Sequence, residues 1–342
     1  MLPLAIKFFT AYQTRVRDLG FDLDLGVHLR ALIAVITGQS KFLTVGNLSR
    51  ERLEAGWGRT QRVFDFAVDF ALKNLHINSR ALLSSPLLLI TTAYWADQRD
   101  LKIDPDEADA FRSWFLIASA KGRYSRGSSE SVLDQDLAVL RNGGGATELL
   151  QRLEQQFGRL EFLPTDLVGR NTQSGVFKAM FLLFKENGAD DWATSLRISP
   201  KHANSADKIE FHHIFPKAQL YKQNFRRAEV NALANFCFLT KDTNLKILDR
   251  LPEEYLEKVE SAHPGALASQ WIPSDRSLWR IDRFRDFLEA RKELLAAEMN
   301  RRMEELLHGD TKWLAGPAAP ALSPIAVPGG ITSEDEEQQQ KK

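Results

Sequence analysis

Apolar residues recur along most of the chain at the interval expected of helices with one buried face. Val63, Ala67, Phe70 and Ala71 fall at i, i+4, i+7 and i+8. Phe111, Phe115 and Ala118 keep the same spacing, and Val176, Met180, Phe181 and Phe184 come close to it. Phe284, Phe287, Leu288, Leu294, Leu295, Met299 and Met303 trace a stripe down a long C-terminal helix. All of these stripes read as core packing. Met1 to Tyr12 reads as an amphipathic helix that begins abruptly, as if more chain preceded it. Ser84-Ser85-Pro86, Gly122 to Ser129, Asn142 to Gly145 and Ser199-Pro200 break the rhythm as loops.

Two short segments depart from the helical period. KIEFHHIFP, from Lys208 to Pro216, and NFCFLT, from Asn235 to Thr240, are rich in aromatic and β-favouring residues and read as strands. Pro216 ends the first because it has no amide for a ladder. Thr240, Asp242 or Thr243 can cap a helix leading to Asn244 and Leu248. Pro252 then stops that helix or begins the next. The prediction is a mainly α chain with an embedded strand, connection, strand, helix unit. A helical domain would occupy residues 1–200, and the embedded unit with its flanking long helix 201–310. Residues 316–342, with four prolines, three glycines and SEDEEQQQKK, read as a disordered, solvated tail.

Composition narrows the possible functions. Of 342 residues, 44% are hydrophobic and 26% charged, as in an ordinary soluble globular protein. Lys plus Arg and Asp plus Glu each number 45, which excludes a globally basic nucleic-acid coat but not a local patch. The single cysteine, Cys237, excludes an internal disulfide, a four-cysteine zinc site and a Cys-X-X-Cys centre, and fits a cytoplasmic location. It alternates with Phe236 and Phe238 and reads as a packed thiol. No apolar run is long enough to span a membrane, and the N-terminus lacks signal-peptide features.

The chemistry concentrates at His212-His213. Neighbours on a strand face opposite ways, so two adjacent histidines can flank one substrate in different roles. Phosphodiester hydrolysis needs such a division: a water is deprotonated on one side of the phosphorus and the leaving oxygen is stabilised on the other, usually by a metal. An imidazole, with a pKa of ~6.5, accepts a proton near neutrality. Asn244 can add an amide oxygen to a histidine nitrogen, leaving positions open for water and phosphate. One divalent ion of the Mg²⁺ or Mn²⁺ kind, or Ni²⁺ or Zn²⁺, suits that mixed site. Asn235 can bond backbone across the loop and so fix the orientation of the catalytic histidine.

FHHIFPKAQL followed by VNALANFCFLTKDTN resembles the His-Asn-His (HNH) nuclease motif, a ββα-metal fold of the His-Me finger type. The variant is similar to that of the DUF1524 family, found at the C-terminus of DUF262 proteins of the GmrSD kind, which are modification-dependent restriction enzymes. The resemblance implies that His212 is a metal ligand, His213 the general base, Asn235 the central asparagine and Asn244 the final metal ligand. Asn231, four residues before Asn235, competes for the central position. Histidine often stands at the final position, so asparagine implies a weaker metal site. RSWFLIASAKGRYSRGSSESVLDQDL (Arg112 to Leu137), FKAMFLLFKENGADDWATSLRIS (Phe177 to Ser199) and SQWIPSDRSLWRIDRFRDFLEARKELL (Ser269 to Leu295) resemble flanking segments of these proteins. The DGQQR-type motif of their nucleotide-binding part is absent. That part would be a separate or removed partner, and the implied role is restriction or anti-phage defence.

Local charge agrees with a DNA partner. Between Lys201 and Arg250 there are nine Lys and Arg against five Asp and Glu. Lys217, Lys222, Arg226, Arg227, Lys241 and Lys246 are the expected phosphate contacts. Arg123, Tyr124 and Arg126 offer either a DNA contact or a turn and capping role. The segment Ile281 to Leu307, with six basic and seven acidic residues, predicts an exposed face of paired charges. Two other functions fit the same residues: a catalytically weak or inactive module that binds nucleic acid or a partner, and an enzyme acting on RNA.

Overall fold

The computed structural model describes residues 2–41, 48–125, 127–194 and 209–307, with side chains described from residue 9 in the first stretch and from 211 in the last. The expected tail (316–342), Arg126 and Ser199-Pro200 lie outside the described residues.

Capping chemistry sets most helix starts. α1 (Leu2–Asp18) is followed by α2 (Leu25–Thr37), where Asp24 accepts the Val27 amide at 2.9 Å. Ser49 caps α3 (Arg50–Asn74), and α4 (Leu87–Gln98) follows Pro86. Asp104 caps α5 (Pro105–Lys121), whose first residue is a proline and whose end is Gly122 in the left-handed region, φ 72°. Ser128 caps α6 (Ser129–Arg141), α7 (Ala146–Phe157) ends on Gly158, and Ser174 caps α8 (Gly175–Glu186). The chain then runs through β1 (Ile209–His213), α9 (Lys217–Lys222), α10 (Arg227–Val230), β2 (Phe236–Thr240), α11 (Lys241–Ile247), α12 (Pro252–Ala262) and α13 (Phe284–Leu307). The fold is mainly helical, with one two-stranded sheet among the described residues.

The centre is built on α4 and α5, each buried over almost its whole circumference. Trp95 and Phe111 stack across them with centroids 3.8 Å apart, and Phe70 of α3 meets both edge-on. The stripes on α3, α5, α8 and α13 face inward as their spacing predicts, except Leu294, which the turn of α13 leaves exposed. All described residues lie in one compact unit, with α13 packed against α5 and α8.

Several charges are buried in pairs. Arg123 forks onto Asp136, which also accepts from the Tyr124 hydroxyl at 2.8 Å. Both Arg123 and Tyr124 are buried, so they serve the helix junction and are withdrawn from DNA. On α13 and the turn just before it the paired face exists (Arg283 with Asp286, Lys292 with Glu289, Arg301 with Glu298 and Glu305). Arg291 and Arg302 depart from it: both turn into the core, Arg302 onto Glu186 at 3.1 Å. No described helix is long and apolar enough to cross a membrane.

His28 of α2 is buried among the rings of Phe9, Tyr12 and Phe64. Burial pushes its imidazole down from 6.5 to about 4, against the pull of Asp24. The folded value lies below the unfolded one, so this stabilisation is complete above pH 6.5 and is lost as pH falls toward 4. Roughly 3 kcal/mol should be lost in full below that point. His28→Phe should remove that part of the acid limb; urea unfolding of both proteins between pH 4 and 7 gives the difference curve, and a flat difference would contradict this account.

Candidate functional site

An isolated strand pair is marginal in water, so β1 and β2 must be held by their surroundings. They run antiparallel, with Phe211 opposite Phe238, His212 opposite Cys237 and His213 opposite Phe236. One face packs on α8, where Phe177 and Phe181 meet Phe211 and Phe238 edge-on or tilted. Among the described residues no third strand meets the outer edge of β2, and three side chains satisfy it instead. Arg291 donates to the Phe236 carbonyl at 2.6 Å and to the Ala234 carbonyl at 2.8 Å. The Gln270 amide accepts from Phe238 N–H at 2.9 Å and donates to the Phe238 carbonyl at 2.8 Å. Asp191 accepts the Thr240 amide at 2.8 Å. Residues 236, 238 and 240 are the alternate positions whose polar groups face away from β1.

Arg291 is fully buried and meets only carbonyls, those of Gln270 and Trp271 completing its set. Burial pushes its guanidinium down to about 10, still far above neutrality, so the cation persists. Burial also raises the Cys237 thiol, so it is inert as a nucleophile and packs as expected.

The two histidines differ as alternation requires. His212 is buried, with its Nδ1 2.6 Å from Asn244 Oδ1. His213 is half-buried, 4.3 Å from the Phe236 ring, with Nε2 3.3 Å from Asn231 Oδ1. Asn231 Nδ2 donates to the Arg227 carbonyl at 2.8 Å, which fixes which way its amide points. Its oxygen therefore faces His213, Nε2 carries the proton, and Nδ1 keeps the lone pair. Burial first, then the charge of Lys217, push His213 down to about 4, so the ring is neutral at neutral pH.

Asn235 does not touch the His213 ring. Its side chain accepts the Phe215 amide at 2.9 Å and donates to the carbonyls of Phe215 and Val230 at 3.1 and 3.0 Å. It thus staples the chain leaving β1 to the turn entering β2, the cross-loop bond its position suggested. Asn231 orients the ring. The sequence shows the two asparagines four apart but not how they divide the work.

Asn244 reaches His212 because α11 starts directly at the end of β2. Thr240 Oγ1 caps it, accepting the Thr243 amide at 3.3 Å. Asp191 then accepts the Thr243 hydroxyl at 2.6 Å and the Thr194 hydroxyl at 2.8 Å. Burial raises this carboxyl, but the bonds from Thr243, Thr240 and Thr194 more than offset it and hold it below the usual range. Nothing in the sequence marked Asp191 or Gln270, each distant in the chain from β2.

The six basic candidates fall on the elements around the site: Lys217 and Lys222 on α9, Arg226 and Arg227 at the start of α10, Lys241 and Lys246 on α11. All six are exposed and none forms an ion pair with another described residue.

One imidazole nitrogen and one amide oxygen in contact are a donor set that suits a divalent ion. At 2.6 Å the two atoms are hydrogen-bonded, Nδ1–H donating to the amide oxygen, and a divalent ion held by both would take the place of that proton. His212 Nε2 is buried with no partner, a state costing about 1–3 kcal/mol. His28 Nε2 shares that deficit among aromatic rings, so the Asn244 oxygen, not the orphan nitrogen, sets His212 apart. Among the described residues no group of three or more His, Cys, Asp or Glu is placed to hold a metal.

No family model matches the chain. An uncharacterized protein of Methanocaldococcus jannaschii is 28% identical over 166 residues, 46% of this chain. The match spans 27% of that protein's length.

Two substitutions test this geometry. Asp191→Ala leaves the Thr240 amide unpaired and takes the acceptor from the Thr243 and Thr194 hydroxyls, and should destabilise the fold by roughly 2–4 kcal/mol in urea unfolding; an unchanged midpoint would contradict the anchoring role. Asn231→Ala should release the His213 tautomer, so that ¹⁵N imidazole shifts move from an Nε2-protonated pattern to a mixture.

Proposed function

We propose that this chain is a metal-dependent endonuclease of the HNH type, hydrolysing DNA phosphodiesters in defence against foreign or modified DNA. The observation that carries the reading is the contact of His212 Nδ1 with Asn244 Oδ1, beside a neutral His213 whose lone pair is set by Asn231. β1, β2 and α11 follow one another as the strands and helix of a ββα-metal module do, and the motif resemblance supplies the roles.

In this reading His213 Nδ1 takes the proton of the attacking water, and the Asn231 oxygen steadies the imidazolium through Nε2–H. Asn235 and Asp191 act at a distance: one fixes the backbone after His213, the other the start of the helix bearing Asn244. His212 and Asn244 would hold one divalent ion, whose contribution is Lewis-acid stabilisation of the leaving 3′ oxygen. Lys217, Lys222, Arg226, Arg227, Lys241 and Lys246 draw the phosphate backbone to that edge, an attraction that weakens with salt. A nucleotide-binding part, if this protein works with one, is a partner outside the described residues.

A binding-only module is favoured by one observation: among the described residues no three of His, Cys, Asp and Glu gather to hold a metal. Plasmid nicking by the full chain with Mg²⁺, Mn²⁺ or Ni²⁺ separates the two. His213→Ala should lower the nicking rate by roughly 10²–10⁴-fold, and Asn244→Ala should raise the Mn²⁺ concentration needed. Equal cleavage by wild type and His213→Ala removes His213 from the chemistry. Salt-dependent DNA binding without cleavage under any of the metals selects the binding module, and preferential loss of an RNA competitor moves the substrate to RNA.

A further inference from the structure

A cavity of about 500 Å³ lies where the end of α5, the segment after α7 and the start of α8 converge. Its wall carries three cations, Lys121, Arg159 and Arg170, against one carboxylate, Asp166. The carboxylate does not use up the cations. Arg159 spends one nitrogen on both Asp166 oxygens, at 2.8 and 2.9 Å, and its Nε is buried with no partner. Arg170, exposed as a residue, donates Nε to the Asp166 carbonyl at 3.2 Å. Lys121 donates to the Glu161 carbonyl at 2.7 Å and lies 4.8 Å from the centre of the Phe162 ring.

The remaining wall suits an anion as well. Ser125 and Gln173 supply neutral polar groups, while the Ser174 hydroxyl is spent on the Asn171 carbonyl at 2.7 Å. Ser174 caps α8 by accepting the Phe177 amide, so the amides of Gly175 and Val176 open that helix without an intrahelical acceptor. Gly175 is held close against α5, since a Cβ there would overlap the Ser119 carbonyl. The helix start is therefore fixed at the cavity rim.

We propose that this cavity binds a phosphomonoester: a terminal phosphate received by Arg159, Arg170, Lys121 and the first amides of α8, with the attached group against Phe157. Two sources share that chemistry, a free mononucleotide and the 5′ end of a phosphorylated DNA strand. The site is independent of the His212–Asn244 site and stands whether or not the chain cleaves DNA.

Calorimetric titration of the full chain without added metal tests this with three probes: dAMP, a 5′-phosphorylated oligonucleotide duplex and the same duplex dephosphorylated. Saturable dAMP binding, weakened at least about tenfold by Arg170→Glu, supports the mononucleotide source. Binding that needs the 5′ phosphate and weakens likewise supports the DNA end. Arg170 is exposed, so its reversal leaves the fold intact; Arg159→Gln should act in the same direction, with thermal unfolding as the control. Equal affinity for the two duplexes with no dAMP binding, binding unchanged in both variants, or no saturable binding of any probe overturns the proposal.

Discussion

The site depends on how a lone pair of strands is satisfied inside a helical body. A third strand would meet the outward amides and carbonyls of β2 with its own backbone; here a guanidinium, a carboxamide and a carboxylate do so, from α13, the turn before Trp271 and the segment after α8. Each such buried group left unpaired would cost about 1–3 kcal/mol. The substitution also closes an edge that would otherwise invite pairing with another chain. Because the supports come from three separate regions, the strand pair is locked to the helical body rather than merely resting on it.

That locking gives the histidines their difference. His212 turns toward the buried side, where Asn244 meets it, and His213 toward the half-open side, where Asn231 meets it. Both asparagines are placed by hydrogen bonds that never touch a histidine: Asn231 by the Arg227 carbonyl, Asn244 by a helix whose first turn is tied to Asp191. A short polar side chain is accurate only if its own backbone is fixed, and the bonding around this site goes mostly to that end.

Much of the fold was legible in the sequence because one-sided apolar spacing and helix caps are local signals. The stripes on α3, α5, α8 and α13, both strands, the Thr240 cap and the Pro252 start all follow from residues within a few positions of each other. The contact of His212 with Asn244 was legible through strand–helix spacing. What escaped was pairing across long separations. Arg291 sits in a run of alternating charges that reads as a solvated face, yet it is fully buried. Arg123 lies in a Gly- and Ser-rich loop that left a DNA contact and a turn role equally open, and Asp136 draws it inside. A charge says nothing locally about whether a distant carbonyl or carboxylate will receive it. The division between Asn231 and Asn235 was hidden for a similar reason: four residues of turn separate a side chain aimed at a ring from one aimed at backbone.

The four carbonyls around Arg291 also impose an order in time. They belong to residues 234, 236, 270 and 271, while their donor sits on the last described helix. A chain still emerging from the ribosome therefore holds β1 and β2 without the group that closes their edge. The histidines reach their final setting only after Arg291 itself has been translated, so a nascent fragment that stops short of it carries the residues of this site without its architecture.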